Sequence, residues 1–442
     1  MMVNTMFMKN IFHHFNLPIS LLKIINTMKT YFKIMLLMIV IKSQAVVAQD
    51  NKNELPLKEK NAVVNSIKTH LQESYIDLDL AKKMIIELDK NSKKYDKIIN
   101  PDDFSKTLTE DLQLVSKDLH LKVRYEPQRI AQEKLVVSEE MKIEAEKKTA
   151  KQMAEINYGF TEVKILDGNI GYLNLRLFAD VKYAEETATA TMNFLSNTNA
   201  IIIDLRTNGG GVPDMMQLLS SYFFNETPVL LSDFYERKTD TKTQLYSLAK
   251  VAGKRSTSKP IYILTSKQTF SAAEAFAYTL KYLGKATIVG EVTAGGANRT
   301  KRINLNDEFT ISVPYIQAIH PVTKTNWEGK GVHPDIKTNE KTALVNAYVD
   351  AINKTAKGNK NTLLNKIGYA FLKEKSVENA IVVFEENARL FPDNANTWDS
   401  LGEAYFINND KENALKAYKK ALALDPNSES AKAMIQKLEI IK

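Results

Sequence analysis

Apolar residues recur at spacings of three and four from Leu55 to about Tyr125: Val63, Val64, Ile67 and Leu71, then Leu80, Met84, Ile85 and Leu88. That stripe predicts amphipathic helices broken by polar turns, a helical N-terminal domain over 49–127. Residues 128–167 turn to Glu, Lys and Ala and predict a charged helical connector with a solvated face. From Gly168 the period changes. GNIGYLNLRLF alternates like a strand, 183–196 reads as a helix, and Ala200–Arg206 is a near-continuous apolar run, as in a strand buried on both faces. A helix over Pro213–Phe224, a strand over Pro260–Thr265, a helix over Ser271–Leu283 and a strand over Ala286–Gly290 follow. Phe309–Ile319 reads as a late strand or hairpin arm. Strand and helix alternating in this way predict an α/β core with parallel strands over 168–356.

After the polar linker Lys357–Lys360 the chain repeats itself. Gly368 and Gly402, Ala380 and Ala414, and Pro392 and Pro426 are each 34 residues apart. With the Trp, Leu-Gly, Tyr, Ala and Pro of NTWDSLGEAYFINNDKENALKAYKKALALDP, this is the tetratricopeptide pattern. Residues 361–442 are therefore expected to be helical hairpins that stack on a shared apolar face and offer a docking surface to a protein partner.

Composition narrows the chemistry. The 442 residues suit about three domains. The absence of cysteine excludes a disulfide scaffold, a thiol nucleophile and cysteine-ligated zinc or iron–sulfur sites. The net charge of +8 has a local origin: five lysines and no acid precede residue 49, and without them 55 basic side chains face 52 acidic ones, +3. Those 48 residues end in MKTYFKIMLLMIVIKSQAVVA, with Lys29 and Lys33 ahead of a short apolar run and small residues before a cut after Ala48. This is the build of a secretory signal peptide, with Met28 as an alternative start and an uncleaved anchor as the other reading. An export leader, not a nucleic-acid surface, carries the basic excess. No transmembrane span is expected in the mature chain, whose location is periplasmic or extracellular.

Two segments could carry chemistry. Asp204-Leu-Arg-Thr-Asn-Gly-Gly-Gly211 leaves a strand and enters a helix, and its amides could cradle an anion or simply make a tight turn. In Thr269-Phe-Ser-Ala-Ala-Glu274, Ser271 stands at a helix mouth, where free amides favour developing negative charge. It is either a nucleophile with the amide of Ala272 as oxyanion donor or the first residue of a capping box, Ser-x-x-Glu. Metal-ligand spacing, a phosphate-binding loop and a dinucleotide fingerprint are all missing from the sequence, so no metal and no cofactor are expected.

GNIGYLNLRLF, DLRTNGGG, LTSKQTFSAAEAFAY, IVGEVTAGGA and NWEGKGVHPD occur in that order. Over residues 55–350 this series resembles the tail-specific (C-terminal-processing) serine peptidase family, in the branch like interphotoreceptor retinoid-binding protein. The resemblance implies a ClpP/crotonase-type α/β core with Ser271 as nucleophile. It implies Ala272 and Gly210 or Gly211 as oxyanion-hole amides. It also exposes departures. Gly296 stands where the lysine-using branch has its general base, Arg299 is permanently protonated, and Lys301 is shifted. A second branch, resembling tricorn protease, takes a histidine base from the N-terminal side and a glutamate after the nucleophile. His120 and Glu328 match those places, whereas Leu119 stands where that branch has a serine. As bland readings, His120 is a satisfied histidine at a strand edge and Glu328 a turn carboxylate; His320 and His333 are reserve bases. The sequence thus implies an exported serine endopeptidase acting on protein or peptide through an acyl-enzyme. The alternative is a weak or inactive relative that binds a lipid, a retinoid-like ligand or a hydrophobic peptide.

Overall fold

The computed structural model describes residues 54–135 and 138–440. The expected leader, 1–48, lies outside them. Four helices open the chain: α1 (Leu57–Ser74), α2 (Leu78–Lys90), α3 (Ser92–Asp96) and α4 (Pro101–Ser116). The apolar stripe faces inward as expected, with Val63, Ile67, Leu71, Met84 and Leu88 buried together. Asn100 caps α4 by accepting the amides of Asp102 and Asp103, and Lys117 ends it in the left-handed region at φ 58°. That stop turns the chain sharply into β1 (Lys122–Tyr125), a strand where the helical pattern had been expected to run on. The connector is helical in α5 (Pro127–Lys134) and α6 (Glu139–Glu155), and α6 buries none of its residues. Its last part departs from expectation: Phe160–Leu166 is a strand, β2.

The remaining core elements are β3 (Ile170–Leu175), α7 (Val181–Leu195), β4 (Ala200–Asp204), α8 (Pro213–Ser221), β5 (Leu230–Glu236), β6 (Thr241–Tyr246) and β7 (Ile261–Thr265). They continue with α9 (Ala272–Tyr282), β8 (Ala286–Gly290), β9 (Arg299–Asn304), β10 (Phe309–Ile319), β11 (Ile336–Lys337) and α10 (Ala343–Thr355). A six-stranded sheet runs β11-β8-β7-β4-β3-β2, parallel except for the β2–β3 hairpin. Strands β4 and β7 are buried at every position, as a parallel sheet covered on both faces requires. A second, antiparallel sheet runs β1-β10-β5-β6, with β9 also on β10. Because β1 pairs with β10 (Lys122 opposite Ser312), the N-terminal unit is stitched into this second sheet.

Helices α11 (Lys360–Lys373), α12 (Val377–Leu390), α13 (Ala395–Ile407), α14 (Lys411–Leu424) and α15 (Glu429–Ile440) form the C-terminal segment. Gly368 and Gly402 lie against the Phe384 and Tyr418 rings of the following helices, which is why glycine recurs at that step of the repeat. Leu364 and Ile367 join the cluster under α10 and β7, so the repeats grow out of the core's own apolar face.

Candidate active site

Ser271 sits past the C-terminal end of β7, where parallel sheets place their ligands. Three anchors hold the approach. Thr269 Oγ1 donates to Leu205 O (2.8 Å) and accepts from Ser266 N (3.0 Å), and Phe270 N donates to Asn208 O (3.1 Å). Ser271 itself has φ 56° and ψ −119°, a backbone that side-chain-bearing residues rarely adopt. Such strain persists only where the surroundings over-determine it. The Glu274 half of the capping box is formed: Ser271 N donates to Glu274 Oε2 at 2.8 Å. The Ser271 hydroxyl meets His120, with Oγ 3.2 Å from Nε2. The two readings of Ser271, cap and nucleophile, are thus divided between its amide and its oxygen.

His120 comes from the short turn between α4 and β1 and stacks on Phe270, ring centroids 4.4 Å apart. Burial pushes its pKa down to about 4, so the imidazole is neutral at neutral pH and free to accept a proton. Among the described residues its Nδ1 has no hydrogen-bond partner. Two carboxylates face it. Asp118, 1% exposed, accepts the His120 amide at 3.0 Å, and its Oδ1 lies 3.8 Å from Nδ1. Glu328 Oε2 accepts the amides of Ala297 (2.6 Å) and Asn298 (3.1 Å), while its Oε1 is buried and unpartnered among the described residues. Burial, and for Glu328 repulsion from Asp118, raise both carboxyl pKa values, so the pair resists carrying two negative charges.

One donor atom each from Asp118, His120 and Glu328 lie within 4.8 Å of one another. Zinc bonds of about 2.1 Å put tetrahedral ligands about 3.4 Å apart, closer than the 3.8 Å between Nδ1 and Oδ1. A cavity of about 430 Å³, lined by Tyr75, Asp77, Asn298 and Glu328 among others, opens behind the three groups.

The segment after β8 is a strap between two buried carboxylates. Glu274 takes the amides of Gly295 (2.7 Å) and Gly296 (2.9 Å), and Glu328 takes the next two. A base is absent from position 296, and neither of the nearby cations takes its place. Lys301 lies over the Tyr315 ring and is not among the residues of the Ser271 cavity, and Arg299 stacks on Phe234. Of the reserve histidines, His320 lines the cavity but accepts the Val322 amide at Nδ1, and His333 is exposed.

On the opposite side of Ser271 lies the glycine turn. Asn208 fixes it, donating to Leu175 O (2.9 Å) and accepting the Gly210 amide (2.8 Å). That bond removes Gly210 from the expected pair of oxyanion amides. In the bridge between Phe178 and Gly211, the amides of Phe178 and Val212 donate, not that of Gly211. Gly211, Ala272 and Ser271 line one cavity of about 310 Å³, walled by Met216, Leu231, Phe234 and Trp327. The arrangement places a neutral imidazole on a hydroxyl, two buried carboxyl groups behind the imidazole, and Gly211 and Ala272 in the cavity that the hydroxyl faces.

Residues 169–338 match the model of "Peptidase family S41", residues 56–160 that of the N-terminal domain of this peptidase in eukaryotic IRBP, and 395–428 that of a tetratricopeptide repeat. The carboxy-terminal processing protease CtpA of Bacillus subtilis is 25% identical over 215 residues, 48% of this chain and 44% of that protein. The chloroplastic carboxyl-terminal-processing peptidase 2 of Arabidopsis thaliana is 28% identical over 174 residues, 38% and 31% of the two chains. The chain thus spans less than half the length of these relatives. A lipoprotein of Streptococcus agalactiae superposes at a TM-score of 0.45 with 15% identity, covering 67% of this chain and 96% of that one.

Proposed function

We propose that this chain, which carries the peptidase family S41 domain with its N-terminal domain and a tetratricopeptide repeat, is a serine endopeptidase. The observation that carries the reading is the 3.2 Å contact between His120 Nε2 and the oxygen of a strained serine at a helix mouth. His120 accepts the Ser271 proton as Oγ attacks a peptide carbonyl. The amides of Gly211 and Ala272 receive the oxyanion. The imidazolium returns the proton to the leaving amine, and water releases the acyl-enzyme by the same steps in reverse. Asp118 and Glu328 supply the negative charge that the transient imidazolium needs, and Asp118 also holds the His120 backbone by accepting its amide. A carrier of apolar ligands would have no use for a histidine nitrogen on the serine oxygen. The leader-like residues before position 49 support action outside the cytoplasm, and the repeats support a protein partner.

The test is labelling by a fluorophosphonate probe and cleavage of a casein substrate by wild type, Ser271→Ala and His120→Ala. Loss of both signals in Ser271→Ala is expected, with a loss of about 10²-fold or more in His120→Ala. Undiminished cleavage by Ser271→Ala would sink the assignment.

A further inference from the structure

The cavity in front of Ser271 is mostly apolar, yet one guanidinium lines it. Arg299 opens β9, and its guanidinium carbon lies over the Phe234 ring, 3.9 Å from the centroid. Among the described residues it has no side-chain hydrogen bond and no ion pair. The other partly buried arginines differ: Arg124 donates to Ser312, Arg129 to Glu126, Arg206 to Asp204, Arg237 to Tyr75 O and Arg255 to Phe224 O. Tyr315 and, from beyond ion-pair distance, the exposed Asp214 favour the charged form of Arg299, and neither is an ion-pair partner. A partly desolvated guanidinium without an anion is an unfavourable arrangement for the free protein. The contact with Phe234 holds the guanidinium in the cavity, and its fork of donors matches a carboxylate bidentately.

We propose that Arg299 is a substrate-recognition residue, and that the cavity takes peptides presenting a carboxylate beside the scissile bond. This rests on Ser271 being the nucleophile, since the same cavity holds both. The carboxylate has two sources: an acidic side chain preceding the cut, or the free C-terminus of the peptide a residue or two beyond it. The apolar walls from Met216, Leu231 and Trp327 accept the methylenes and strengthen the ion pair by excluding water.

The experiment uses one peptide sequence with Glu, Gln, Lys or Leu before the cut, each as free acid and as C-terminal amide. Cleavage by wild type, Arg299→Gln and Arg299→Glu is followed by mass spectrometry. Binding of the Glu and Gln peptides, in both terminal forms, to full-length Ser271→Ala is measured by calorimetry. Wild type is expected to favour the carboxylate form at least about tenfold in kcat/KM. Arg299→Gln should bring that ratio towards one, and Arg299→Glu should turn the side-chain preference towards Lys. A preference that follows Glu identifies the side chain, and one that follows the free acid identifies the terminus. Equal cleavage of all forms, or a preference that survives Arg299→Gln, overturns the proposal. If Ser271 takes no probe and no peptide is cut, the nucleophile assignment fails by itself. The Ser271→Ala binding ratio then decides for or against carboxylate recognition.

Discussion

Gly296 and His120 compete for the same space. A Cβ built on Gly296 would stand 2.7 Å from His120 Cε1 and 2.2 Å from Phe270 Cε2. Position 296, where the resemblance places the lysine base of the other branch, is thus held to glycine by a histidine ring stacked on Phe270. Gly296→Ala is expected to push the imidazole off Ser271 and to lower kcat by about 10²-fold, since a displacement of about 1 Å at a reacting group has that effect. Circular dichroism should stay native while steady-state kinetics register the loss. Wild-type turnover by Gly296→Ala would show that the ring need not sit where it does.

Asp118 was not legible as a site residue, because an acid beyond a helix end usually only ends it. Its Oδ1 lies 3.8 Å from His120 Nδ1, and it also accepts the His120 amide. Asp118→Asn removes the charge and keeps the shape, so kcat should fall by about 10–100-fold with KM little changed. Glu328→Gln should act in the same direction. The double variant should lose less than the product of the two, because the carboxyls act on one imidazole. Full additivity in a double-mutant cycle would separate them.

The pH dependence has a definite sign. Burial lowers His120 from the ordinary 6.5 to about 4, so the neutral base survives in acid that would protonate an exposed histidine. The acid limb of kcat/KM set by His120 itself should lie near pH 4, preceded by a partial loss near pH 6 as Asp118, raised by burial to about 6, takes up its proton. The unfolded chain binds the extra proton between pH 6.5 and 4, so His120 also withdraws stability as pH falls through that window. Replacing Phe270 by Ala opens the ring to water and should move the limb upward. A limb at 6.5 that persists in Asp118→Asn would contradict the burial argument.

What the sequence carried and what it left out follow from burial. Strands β4 and β7 were legible because every residue is buried and the run is apolar. Strand β6 was not, since five of its six residues are exposed and its pattern resembles a loop. β1 was hidden at the end of a helical stripe: only Val123 of its four residues is buried, and its pairing with β10 is a contact across nearly 190 residues. In the site, Ser271, His120 and Glu328 carry motif signals. Asn208 and the withdrawal of Gly210 from the oxyanion pair do not, because they depend on which amide a side chain happens to meet. In the sequence Arg299 stands out only as a cation too strongly protonated to be a base. Its stacking on Phe234 and its lack of an acceptor exist only in three dimensions.

Ser271 also lets stability be set against function. At φ 56° and ψ −119° any side chain costs about 1–3 kcal/mol of strain that glycine escapes. Ser271→Ala keeps that strain and loses only the hydroxyl and its bond to His120. Ser271→Gly relieves it, so it should melt above Ser271→Ala, by a margin of about 1 kcal/mol after the entropy glycine adds to the unfolded chain. Both variants should be unreactive towards the probe. Thermal and urea unfolding of the pair measure the difference directly. Equal stability, or a less stable glycine variant, would mean that the backbone at position 271 is relaxed, and its conformation would then lose its place in the argument for a preorganised nucleophile.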